Sequence, residues 1–202
     1  MTPPPPSRRD FLSAGAAVVA GLGGAPAREA ALDGWTRRTR GPAAGVEAIL
    51  MRSNLQGSWV SFDPIGLFVE PGATIRWTVQ ANVHTTTAYH PRNGHHPLRI
   101  PAAAAPWDSG YLVNPGDHFE VTLTVPGVYD YFCTPHEAMG MVGRIIVGKA
   151  VGPGAAPFDY WVGQPGTADW LHVPEAARRT FPSVARILSE RRVHPVVPRS
   201  AG

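Results

Sequence analysis

Between Ile75 and Gln80 apolar and polar residues alternate strictly, with Ile75, Trp77 and Val79 set against Arg76, Thr78 and Gln80. A strand points successive side chains to opposite faces, so this spacing predicts a strand with its first set in a core and its second in water. Short apolar and β-branched runs of similar character lie at Val46–Met51, Trp59–Phe62, Leu67–Val69, Thr74–Val79, Phe119–Val125, Val128–Cys133 and Val142–Val147. Pro71-Gly72 and Pro126-Gly127 punctuate them as turns. The stretch from Ala88 to Trp107 is broken by Pro91, Pro97, Pro101 and Pro106 and reads as a long loop. Short strands separated by turn signals, with no helical period among them, predict an all-β Greek-key sandwich or barrel.

The flanks read differently. Beyond Gly148 come a Gly/Pro linker, Gly152–Pro157, and an aromatic patch of Phe158, Tyr160, Trp161 and Trp170. Pro174–Arg192 has helical spacing at Val184, Ile187 and Leu188, which predicts a helix packed on the flank of the barrel. At the other end, Ser7-Arg8-Arg9-Asp10-Phe11-Leu12 precedes an apolar run from Ala14 to Gly24 and then Ala25-Pro26-Ala27. That order resembles a twin-arginine export signal cleaved after Ala27. The run is far shorter than the roughly 20 residues a spanning helix needs. The domain plan is therefore a leader at 1–27, a flexible polar arm at 28–45, the strand-rich domain at 46–148, and a linker with a partly helical tail at 149–202. The expected destination is the periplasm or another space outside the cytoplasm.

Composition narrows the function. A chain of 202 residues, 44% hydrophobic, can fill one core and carry tails. Its formal net charge is +3, but residues 46–148 hold five basic residues against eight acidic ones. The positive charge therefore lies in the ends, and a nucleic-acid-binding core is excluded. No integral membrane bundle is indicated, while peripheral association stays open. With one cysteine, Cys133, no intramolecular disulfide can form, so that thiol has other work.

The segment Tyr131-Phe132-Cys133-Thr134-Pro135-His136-Glu137-Ala138-Met139-Gly140-Met141 supplies that work. It places a thiolate donor at the end of one strand, an imidazole three residues on and a thioether five further, just before the next strand. Two imidazoles and a thiolate with a weak axial thioether are the donor set of electron-transfer copper. The second imidazole is assigned to His84, which follows a strand, although His90, His95 and His96 in the next loop compete for the place. Met139 is the rival of Met141, and His95-His96 with His90 could form a second metal site.

Cys133-Thr134-Pro135-His136 with Met141 resembles the ligand loop of the cupredoxins, the blue type 1 copper proteins of the plastocyanin, pseudoazurin and halocyanin-like kind. Phe62-Asp63-Pro64 leading to Leu67 and Val69 is similar to their second strand. The resemblance covers about residues 46–148. It implies an antiparallel Greek-key β-sandwich, a single type 1 copper bound by His84, Cys133, His136 and Met141, and no enzymatic activity. It implies a monomer that docks redox donors and acceptors (a cytochrome, oxidase or reductase) near His136, within an apolar rim of Pro135, Ala138 and Met139. Thr85 stands where the family often has asparagine, which raises the question whether it bonds Thr134. Phe132 replaces the tyrosine of a remote second port in plastocyanin, putting that port in doubt. The competing function is an exported copper-binding or delivery protein with no redox shuttle role. A multicopper oxidase is excluded, because it needs His-x-His pairs and the chain has none.

Overall fold

The computed structural model describes residues 45–197. The expected leader at 1–27, and the arm at 28–45 apart from Gly45, lie outside the described residues. The strands are β1 (Val46–Ser53), β2 (Val60–Asp63), β3 (Gly66–Val69), β4 (Ala73–Val79), β5 (Thr87–Ala88), β6 (His118–Leu123), β7 (Gly127–Phe132), β8 (Val142–Val147) and β9 (Arg192–Val193). They form two sheets, ordered β2-β1-β4-β6 and β5-β7-β8-β3-β9. The all-β sandwich read from the sequence is the fold.

The sheets are mixed. β1 runs parallel to β4 and β3 parallel to β8, while the other neighbours are antiparallel. The chain leaves the first sheet after β2, forms β3 in the second, and returns as β4 beside β1. A neighbour reached by such a crossover, rather than by a hairpin, can lie parallel.

β4 shows why the alternation was legible. Ala73, Ile75, Trp77 and Val79 are buried, and the residues between them face outward. On that outer face the register puts Thr74 opposite Thr122, hydroxyls 2.8 Å apart, and Arg76 opposite Glu120 as an ion pair. Cross-strand pairs of this kind fix register. Between the sheets, Trp77, Phe62 and Tyr131 pack edge to face.

β7 and β8 depart from alternation, being buried on both faces. The residues after Gly148 form a third layer over them. Arg99, itself fully buried, donates to the carbonyl oxygens of Gly154, Ala156 and Pro157, so the segment expected as a linker is docked. Asp130 of β7 takes Arg99 at 2.8 Å and Arg144 of β8 at 2.7 Å. Arg144 also donates to Pro182 in the tail.

The helix expected over Pro174–Arg192 is two, α1 (Glu175–Thr180) and α2 (Val184–Glu190). Pro182 has no N–H and disfavours helical backbone at Phe181, which is extended. Ser183 then caps α2 by accepting the N–H of Arg186 at 3.2 Å. Ile187 of α2 is buried against β3, and β9 extends the sheet edge beside β3. Among the described residues no helix is long and apolar enough to cross a membrane.

Candidate metal centre

Cys133 follows β7 and Met141 precedes β8, so two paired strands hold both ends of the intervening loop. The Cys133 N–H donates to the Met141 carbonyl at 3.0 Å, and the Met141 N–H to that of His136 at 3.1 Å. Thr134–Met139 form a short 3-10 turn entered through Pro135. Gly140 ends it with φ at +87°, where a side chain would also strike Thr180 of α1 at 2.5 Å. The tail thus packs directly behind this loop.

His84 arrives from the other sheet's connection. Its N–H donates to Leu112 O at 3.1 Å and its carbonyl accepts Leu112 N–H at 2.9 Å, which fixes its backbone. The ring nitrogen Nδ1 of His84 is 3.7 Å from Cys133 Sγ, and that of His136 is 3.4 Å from the same sulfur. Donor atoms of His84, Cys133 and His136 all lie within 4.8 Å of one another. One ion bonded to imidazole nitrogen and thiolate sulfur at roughly 2.0–2.3 Å, as zinc is, holds such donors less than ~4 Å apart. The three side chains fit a single metal ion.

Burial sets their protonation. It lowers the pKa of His84 to about 4, aided by charge on His136, and lowers that of His136 as well. Both imidazoles are therefore neutral and carry a free lone pair at pH 7. Burial pushes the Cys133 thiol up to about 11 against the opposing effect of the Thr85 N–H. That N–H points at the sulfur from 3.3 Å. The hydroxyl of Thr85 accepts the Thr134 N–H at 2.8 Å, so the bond in question exists.

Of the two methionines, Met141 is fully buried in the core cluster that contains Cys133, while Met139 is 49% exposed. The other loop histidines do not gather. His90 accepts the Arg92 N–H, His95 pairs with Asp169, and His96 faces Glu137. The second metal site that His90, His95 and His96 could have formed is not assembled, because each ring has a separate partner. Among the described residues only His84, Cys133 and His136 form a cluster of metal-binding side chains.

His136 is half-buried, with Pro135, Ala138 and Met139 exposed around it. A shallow depression joins its ring to Leu55, Val83 and Tyr111, all exposed apolar residues that the sequence reading did not connect with the site. They come from three separate connections, β1 to β2, β4 to β5 and β5 to β6, and no spacing links them to residue 136. Glu137 was also passed over as a loop residue, although Tyr89 donates to one of its oxygens at 2.6 Å and His96 meets the other at 3.0 Å.

The family model described as copper binding proteins, plastocyanin/azurin family, matches residues 50–148. Chloroplastic plastocyanin of Oryza sativa subsp. indica is 31% identical over 147 residues, covering 73% of this chain and 91% of that protein. Chloroplastic plastocyanin of Hordeum vulgare is 32% identical over 107 residues, covering 53% of this chain and 66% of that one. The pseudoazurin structure from Methylobacterium extorquens AM1 is 20% identical with a TM-score of 0.47, covering 72% of this chain and 96% of that one. The chain belongs to the plastocyanin/azurin family of copper binding proteins, a cupredoxin whose cofactor is copper and whose class of function is electron carriage.

Proposed function

We propose that His84, Cys133, His136 and Met141 hold a single type 1 copper ion, and that the protein shuttles one electron at a time between larger redox proteins outside the cytoplasm. The observation that carries this reading is the convergence of two neutral imidazoles on one buried sulfur, with their Nδ1 atoms 3.7 and 3.4 Å from it. Copper supplies the one-electron couple. The protein supplies a fixed set of donors: His84 is held by its bridge to Leu112, and the Cys133–Met141 loop by β7 and β8. Donors locked by packing rearrange little as charge comes and goes, and this favours rapid transfer.

His136 is the donor nearest solvent, so its ring edge is the exit for the electron. The surrounding apolar rim suits brief docking of a cytochrome, oxidase or reductase. The twin-arginine leader supports an extracytoplasmic location, and mass spectrometry of exported protein should find it beginning at Arg28. The delivery reading is disfavoured because a buried thiolate with two fastened imidazoles retains metal rather than releasing it. Adding Cu(II) to the purified protein should produce an intense visible thiolate-to-copper band and fast electron self-exchange. A colourless product sinks the ligand assignment, and slow self-exchange by a coloured one returns the delivery reading.

A further inference from the structure

Both ring nitrogens of His96 face acceptors. Nδ1 lies 2.6 Å from the carbonyl oxygen of Asn93, and Nε2 lies 3.0 Å from Glu137 Oε2. An imidazole that donates from both nitrogens is an imidazolium. Burial works against that charge, but the hydrogen bond and charge of Glu137, with the Asn93 carbonyl, outweigh it and raise the pKa of His96. The face of the same ring stacks on Phe132, with centroids 4.2 Å apart and planes at 26°.

Phe132 immediately precedes Cys133, and Glu137 immediately follows His136. One side chain therefore touches both residues that bracket the Cys133–His136 segment. Its own footing is firm. Asn93, which carries the Nδ1 bond, donates through its amide to Ala88 O at 2.8 Å and Trp107 O at 3.0 Å. The other oxygen of Glu137 is taken by the buried Tyr89, whose backbone N–H bonds Asp130 of β7. The loop itself has only 3-10 geometry, which makes poorer hydrogen bonds than an α-helix.

We propose that His96 is a positioning residue for the copper loop: by stacking on Phe132 and pairing with Glu137 it braces the Cys133–His136 segment from behind and keeps His136 in one place in both oxidation states. The proposal rests on the ligand reading above. It gives a half-buried imidazole whose two nitrogens both face acceptors a role at the site. It also accounts for a carboxylate placed directly after the half-buried imidazole of His136.

The test uses the full chain with His96→Phe, which keeps an aromatic ring on Phe132 and removes both hydrogen bonds. Glu137→Gln, which keeps an acceptor for Tyr89 and removes the ion pair, is the second variant. In the copper-free protein, hydrogen exchange at the His136, Gly140 and Met141 amides should accelerate about tenfold in each variant, the effect of losing one charge-assisted bond. Exchange at Ile145 in β8 should not change. After copper loading, the visible band should persist while electron self-exchange slows about tenfold. Unchanged loop exchange, acceleration matched at Ile145, or undiminished self-exchange overturns the brace. A parent protein that develops no band overturns the ligand reading instead, and the copper-free exchange data still decide whether His96 braces the loop.

Discussion

Thr85 holds Thr134 and the neighbouring sulfur together: its hydroxyl accepts the Thr134 N–H at 2.8 Å, and its own N–H lies 3.3 Å from Cys133 Sγ. A second strand of this network runs from Thr85 through Thr87 to Asp108. The connection behind His84 is thereby tied to the residue after Cys133. Thr85→Val keeps the shape and removes the acceptor, leaving the Thr134 N–H without its partner. It should lower stability by about 1–2 kcal/mol in denaturant titrations, and Thr85→Ser, which retains the acceptor, should cost less. Equal losses for the two would assign the effect to packing rather than to the bond.

The two methionines separate by burial. Met141 lies in the core beside Cys133, and Met139 stands on the exposed rim. Met141→Gln replaces a soft sulfur with a harder oxygen donor, which favours the oxidised ion, so the reduction potential should fall and the visible spectrum shift. Met139→Leu should leave both nearly unchanged. Voltammetry and absorption of the two loaded variants check this, and the reverse outcome would make Met139 the axial donor.

The division between what the sequence disclosed and what it hid follows the range of the interactions. β8 was read to the residue, and β4 to within one, because pleating imposes a local period. Cys133, His136 and Met141 share one loop, so their spacing alone proposed a common point. The two-residue β5 and the docking of the tail are set by distant partners. Asp130 meets Arg144 across a strand pair and Arg99 from a loop 31 residues away. One local signal was available. Val142–Val147 and Val128–Phe132 lack polar alternation, as expected of strands covered on both faces, and so announced a third layer. The His96–Glu137 pair, 41 residues apart, had no such signature.

Asp130 is the sole carboxylate shown between Arg99 and Arg144, and all three are buried. Asp130→Ala would leave two guanidinium groups facing each other inside the protein, with Phe158 stacked 4.2 Å over Arg99 as one of the remaining contacts. Removing one partner from a buried ionic cluster typically costs about 3–5 kcal/mol. The variant should therefore melt well below the parent, with limited proteolysis beginning in the segment 150–160, where Arg99 holds the carbonyls of Gly154 and Ala156. A variant with an unchanged melting temperature would mean that the tail is held by its apolar contacts alone.

Copper affinity should rise with pH. In the metal-free protein burial raises the Cys133 pKa to about 11, so at neutral pH the sulfur carries a proton that binding must expel. The imidazoles release none, since His84 is lowered to about 4 and His136 also lies below its usual 6.5. From about pH 7 up to the thiol pKa, one proton leaves per ion bound, and the apparent association constant should increase about tenfold per pH unit. Above the thiol pKa the gain should stop. At the acid end, protonation of the His84 and His136 imidazoles competes with the metal, which makes the dependence steeper. Titrations against a competing chelator at about pH 7, 8 and 9, corrected for the chelator's own protonation, measure this slope. A slope near zero would mean that the metal-free site already holds a thiolate, stabilised by the Thr85 N–H more strongly than burial opposes it.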